Sequence, residues 1–239
     1  MALALLCLAI PALAQSSFAS EARIEVASDG WRLIGDLNLP VAGNPLPAVL
    51  MLNQAAGNRN AYVELARYLA DRGIASLRLD LPGHGQSTNL GRFVPGERSR
   101  DPMIWEAEAG VVAALEFLQT QQKIDPRRIA VVGASYAGEE AAEAGRLSTY
   151  AKAYVLLSPG SLSDESIDRI DTSGARWLFV TSRDEPFLQD IRNAVTARSE
   201  SVEQLIVPGR GHASNLLAEH PGLAERVAVW LESKLAVGD

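Results

Sequence analysis

Ser135, His212 and the adjacent pair Asp184-Glu185 are residues whose types, taken together, suit nucleophilic chemistry. A serine hydroxyl is a weak nucleophile at neutral pH. It needs a base within hydrogen-bond reach, and the base needs a carboxylate that holds its tautomer and stabilises its charged form. Ser135 lies in Gly133-Ala-Ser-Tyr-Ala-Gly138, after the apolar, mostly β-branched run Ile129 to Val132 and before an Ala/Glu-rich helical pattern. A strand that turns sharply into a helix around one serine has the geometry of a nucleophile elbow. The turn pushes Oγ beyond the strand end and sets backbone N–H groups of the helix start beside it.

Of the three histidines, His212 sits in Gly209-Arg-Gly-His-Ala-Ser214, a small-residue loop suited to holding an imidazole over a sheet edge. His84 lies between two glycines and is expected to brace its turn; His220 precedes Pro221 and is expected to cap or meet solvent. The acid falls in Thr181-Ser-Arg-Asp-Glu-Pro186. Asp184 is the expected partner because the shorter carboxylate is the commoner triad member, and Glu185 stays open as the alternative. Either would also suit the N-terminus of the helix that follows.

The elements that must position these groups follow from the apolar pattern. Arg23 to Pro40 alternates around Ser28-Asp29-Gly30, which predicts an antiparallel hairpin. Ala48 to Leu52 is apolar on both faces, as a buried parallel strand is, and Ile74 to Leu79 reads as another buried strand. Helices are predicted over 62–72, 104–122, about 187–198 and about 222–235, with further strands at 129–132, 154–157, 177–180 and 204–207. A short polar segment follows the strand at 154–157, and 88–103 reads as a long surface loop. Strand and helix alternate from Pro47 onward, so the predicted fold class is α/β, one doubly wound, mostly parallel sheet behind an N-terminal hairpin. In such sheets ligands bind beyond the carboxyl ends of the strands, which is where Ser135, the acid pair and His212 fall.

The chain has 239 residues, a net charge of −7 and no basic cluster, which argues against a nucleic-acid partner. Residues 1–14 are uncharged and apolar and end in Ala12-Leu13-Ala14, the pattern of a signal peptide, so a periplasmic or secreted protein is expected, with its domain over 21–239. The run is too short for an ordinary membrane span. Cys7 lies inside it, so the mature chain would have no cysteine. No spacing suggests a metal site, and Gly83-His84-Gly85 lacks the rest of a dinucleotide fingerprint, so no cofactor is expected. Glu139 and Glu140 are expected to complement a helix dipole, and Glu106 and Glu108 to lie on a solvated face.

The chain resembles the α/β-hydrolase superfamily, in particular its small, lidless, dienelactone-hydrolase-like members. The resemblance rests on Leu52-Asn-Gln-Ala-Ala-Gly-Asn-Arg59, Asp80-Leu-Pro-Gly-His-Gly-Gln-Ser87, the elbow 133–138 and Gly211-His212, and runs from about Glu21 onward. The order serine, acid, histidine is also that of the superfamily. It implies no cap domain, a small-molecule ester or related acyl substrate, and a Ser135-His212-Asp184 triad working through an acyl-enzyme. It further implies an oxyanion hole of the backbone N–H groups of Ala55 and Tyr136. The chain departs from the pattern in carrying Asn53-Gln54 where the family has His-Gly, and Ala137 where the elbow's closing glycine stands. The group's namesakes use cysteine where this chain has Ser135, so their substrate does not carry over. The departures motivate the alternative of a non-catalytic binding module on the same fold.

Overall fold

The computed structural model describes residues 18–41, 45–96, 102–105, 107–147, 151–160, 162–186, 188, 189, 191, 193 and 202–236. The expected leader 1–14, Cys7, Glu106 and most of the expected helix 187–198 lie outside them. An eight-stranded sheet runs in the order β1-β2-β4-β3-β5-β6-β7-β8. Its strands are β1 (Phe18–Ser28), β2 (Trp31–Pro40), β3 (Leu46–Leu52), β4 (Ala75–Leu79), β5 (Ile124–Ala134), β6 (Ala151–Leu157), β7 (Arg176–Ser182) and β8 (Val202–Val207).

β1 and β2 form the expected hairpin, with Ser28 opposite Trp31. Its two turn residues, Asp29 and Gly30, have φ of 45° and 81°. Two left-handed residues make the turn that matches the strands' twist. β2 lies antiparallel to β4, and the strands from β4 through β3 to β8 are parallel. Crossovers put α1 (Val63–Asp71) and the last helix, Leu223–Leu235, against one face. The other face takes α3 (Glu108–Thr120) and α4 (Tyr136–Leu147). Both faces of β3 are therefore buried, as its all-apolar sequence requires. Among the described residues no cap domain interrupts the alternation, and no helix is long and apolar enough to cross a membrane.

The structure revises several boundaries. β5 starts at Ile124, five residues before its apolar run, because Leu46 pairs with Ile124 ahead of the main register. The expected helix 104–122 is two, α2 (Pro102–Trp105) and α3, so α2 also takes the end of the loop expected over 88–103. The segment after β6 contains α5 (Asp164–Thr172), a helix whose polar composition conceals it. Among its described side chains, Ser166 and Ile170 are buried. Buried Glu139 on α4 holds its start, accepting from Ser163 N–H (3.0 and 3.1 Å) and Ser166 Oγ (3.0 Å). A short helix, α6 (Asn215–Glu219), precedes the last helix, α7 (Leu223–Leu235), on which Val229 faces solvent.

The turn after β4 is built around Asp80, which is fully buried. Its carboxylate accepts from Arg59 N–H (2.7 Å), Gln86 N–H (2.9 Å) and the Arg59 guanidinium. Arg59 Nε also donates to Asp36 at 2.8 Å. Both charges of each pair are thus answered, which a buried ion requires. A Cβ at Gly85 would come within 2.1 Å of Asp80 Oδ2, so only glycine lets the turn close on the carboxylate. His84 braces this turn as expected, Nδ1–H donating to the Pro82 carbonyl at 2.8 Å. Its ring stacks with Phe93 (4.9 Å) and with Tyr136 (5.7 Å), which ties the turn to the start of α4.

Candidate active site

The elbow lies where β5 becomes α4. Ser135 has φ 56°, the left-handed conformation that non-glycine residues adopt at some cost. The strain is held by Ser135 N–H to the Leu157 carbonyl and by Gly138 N–H to the Ser135 carbonyl, both 3.0 Å. A Cβ at Gly133 would lie 2.4 Å from the Ala137 carbonyl oxygen, so the turn depends on that glycine. Ala137 itself is fully buried, with its methyl accommodated in the core. Gly138 supplies the close approach instead, 3.3 Å from a Cβ built there to Pro159 Cβ.

Two further strand ends complete the constellation. His212 Nε2 is 3.0 Å from Ser135 Oγ. Its Nδ1 is 2.6 Å from Glu185 Oε1. A carboxylate only accepts, so Nδ1 carries the proton and Nε2 offers its lone pair to the serine hydroxyl. The Glu185 side chain is 1% exposed and the His212 side chain 37%. The imidazole is reachable from solvent and the carboxylate behind it is sealed.

The acid at the imidazole is therefore Glu185, which corrects the expectation of Asp184. Asp184 sits in the turn after β7, exposed, its N–H bonded to the Gly209 carbonyl at 2.9 Å. One residue later the chain has turned inward, and the longer side chain spans the remaining gap to His212. Glu185 Oε2 accepts from Ser158 Oγ (2.8 Å) and, more weakly, from Ser182 N–H (3.4 Å). Ser158, just after β6 with φ 46°, is a partner that the sequence did not reveal.

The histidine loop is fixed from both sides. Ser182 Oγ donates to the Gly211 carbonyl at 2.6 Å, and Gln54 Oε1 accepts from Ser214 N–H and Oγ, both at 2.9 Å. A Cβ at Gly211 would meet Glu219 Oε2 at 2.2 Å, so a side chain there would have to displace the Glu219 carboxylate. His220 stays out of the constellation; its N–H closes α6 on the Leu216 carbonyl.

β3 ends in a turn in which Gly57 N–H bonds the Gln54 carbonyl at 2.9 Å and Ala56 has φ 58°. Ala55 N–H, at the second position of that turn, is not used by it. Tyr136 N–H, on the first residue of α4, has no intrahelical acceptor. Ala55 and Tyr136 are the residues whose backbone N–H groups the family resemblance implies as oxyanion donors.

Behind the elbow, buried Glu140 on α4 meets half-buried Glu108 on α3 rather than solvent. Burial, then the Glu108 charge and a hydrogen bond to Glu108, then the Glu139 charge push the Glu140 carboxyl up to about 8. Among the described residues no cluster of three or more His, Cys, Asp or Glu is arranged to hold a metal ion.

A family model described as the alpha/beta hydrolase fold matches residues 47–233. Uncharacterized proteins from two strains of Mycobacterium tuberculosis are 28% identical over 232 residues, covering 88% of this chain and 78% of theirs. A dienelactone hydrolase-like promiscuous phosphotriesterase from metagenomic libraries superposes with a TM-score of 0.69 at 22% identity, covering 90% of this chain and 98% of that one. The dienelactone hydrolase from Anabaena variabilis gives 0.68 at 20%, covering 90% and 96%. An esterase from Pyrobaculum calidifontis gives 0.68 at 16%, covering 92% and 86%. At these identities the solved structures share the fold.

Proposed function

We propose that this chain, which belongs to the alpha/beta hydrolase fold family, is a serine hydrolase that cleaves small carboxylic esters through an acyl-enzyme. One observation carries the reading: a single imidazole touches Ser135 Oγ at 3.0 Å and a sealed carboxylate at 2.6 Å. Fold alone would not justify it, because the fold hosts many activities.

Ser135 Oγ attacks the ester carbonyl carbon as its proton passes to His212 Nε2. Glu185 holds the imidazole in orientation and offsets the charge that forms on it. The tetrahedral oxyanion is stabilised by Ala55 and Tyr136 N–H, donors whose direction is set before substrate arrives. His212 then returns its proton to the departing alcohol oxygen, and the C–O bond breaks to leave an acyl-Ser135 ester. Water, deprotonated by the same Nε2, attacks that ester and releases the acid, with the proton going back to Ser135. The rival, a binding module without turnover, leaves the Ser135-His212-Glu185 hydrogen bonds without a use. The apolar stretch 1–14 would direct the enzyme out of the cytoplasm, to the periplasm or medium.

Turnover of p-nitrophenyl acetate tests the proposal. Wild type is expected to hydrolyse it, and Ser135→Ala to lose about 10³-fold or more in kcat. A wild type inert on short-chain esters would favour the binding module.

A further inference from the structure

We propose that Gln54 is a positioning residue that sets the oxyanion donors and the catalytic base relative to each other. The proposal rests on the serine-hydrolase reading. It concerns a residue that stands where the family carries glycine.

Gln54 acts through its backbone and through its side chain. Its carbonyl accepts from Gly57 N–H and from Asn53 Nδ2, both at 2.9 Å. Asn53 is fully buried, and its Oδ1 accepts from Leu81 N–H at 2.9 Å, so the loop after β3 is anchored to the turn after β4. The Gln54–Ala55 peptide is planar and trans, which makes its C=O and N–H point in opposite directions. Pinning the carbonyl on one side therefore aims Ala55 N–H toward the other.

The side chain of the same residue reaches across to the histidine loop. Oε1 takes both the N–H and the hydroxyl of Ser214, 160 positions away. Ser214 is 5% exposed, so its N–H has little access to water. That N–H can only donate, which fixes the amide with its oxygen toward Ser214. A Cβ at Gly57 would lie 3.0 Å from both Gln54 Cγ and the Gln54 carbonyl oxygen, a tight contact that glycine avoids. The donor loop and the base loop are thus joined through one residue. Small errors in such spacing fall on the transition state rather than on substrate binding.

The test compares wild type, Gln54→Met, Ser214→Ala and the double variant by kcat and KM on p-nitrophenyl acetate, with thermal melting alongside. Methionine keeps the length and removes the acceptor. Gln54→Met is expected to lower kcat about 10- to 100-fold while KM moves less than about threefold. Ser214→Ala, which keeps the N–H, is expected to lower kcat about threefold. The double variant should be no worse than Gln54→Met, since both changes break one bridge. A Gln54→Met kcat within about twofold of wild type, or losses that multiply in the double variant, would overturn the proposal. If Gln54→Met does not fold, Ser214→Ala decides, and an unchanged kcat overturns it. A wild type without turnover overturns this proposal together with the reading it rests on. Wild-type turnover with an indifferent Gln54 overturns this one alone.

Discussion

Glu185 Oε1 lies 2.6 Å from His212 Nδ1, while the neighbouring Asp184 faces solvent. The two carboxylates differ by one position in the chain and are separated by the direction of one turn. Glu185→Gln is expected to lower kcat about 10³-fold, because the amide no longer offsets the imidazolium and can present the wrong group to Nδ1. Asp184→Asn should stay within about twofold of wild type, as exposed substitutions do. Steady-state kinetics on one ester decides between them; a reversed pattern would restore Asp184 as the acid.

Ser158 Oγ donates to the second oxygen of the same carboxylate at 2.8 Å. Ser158→Ala keeps a Cβ at this left-handed position and removes only that bond. The expected loss in kcat is about tenfold, matching roughly 1.5 kcal/mol for one hydrogen bond to a charged group. KM on the same ester should hold. A kcat equal to wild type would mean that the protein fixes Glu185 without this hydroxyl.

Much of the site was legible before the structure, and the parts that were not share a cause. Ser135 could be read because a strand, a small-residue turn and a helix are consecutive in the chain. His212 could be read because few histidines compete and, of the two in glycine-flanked loops after strands, only His212 follows the serine and the acid in the superfamily's order. The choice of Glu185 over Asp184 depends on where a turn after β7 points, and adjacent residues carry no local sign of that. Gln54, Ser158 and Ser214 act through side-chain bonds to positions 27 or 160 residues away. No spacing rule reports such partners. The sheet followed from the apolar runs of its inner strands and from the alternation of β1 and β2. α5 escaped because its composition is polar and its start is held by Glu139, 24 positions away on α4.

Glu140 makes stability depend on pH. Its carboxyl, ordinarily at 4.5, is raised to about 8 by burial and by Glu108 and Glu139. Between those values the folded chain holds a proton that the unfolded chain has released. The stabilisation is therefore full below about pH 4.5 and is lost as pH rises through about 8. Glu140→Gln stays neutral throughout and should remove this slope, gaining on the order of 1–3 kcal/mol relative to wild type at pH 9. Denaturant titrations at pH 5, 7 and 9 would show it. Parallel stability profiles for the two proteins would contradict it.

The central claim is that Ser135 is a nucleophile activated by His212. A fluorophosphonate probe reacts with such a serine and leaves a covalent phosphonyl adduct that peptide mass spectrometry locates. The account predicts one adduct per chain, on the peptide containing Ser135, absent in Ser135→Ala and strongly slowed in His212→Ala. No adduct on folded wild type, or an adduct at another residue, would contradict it.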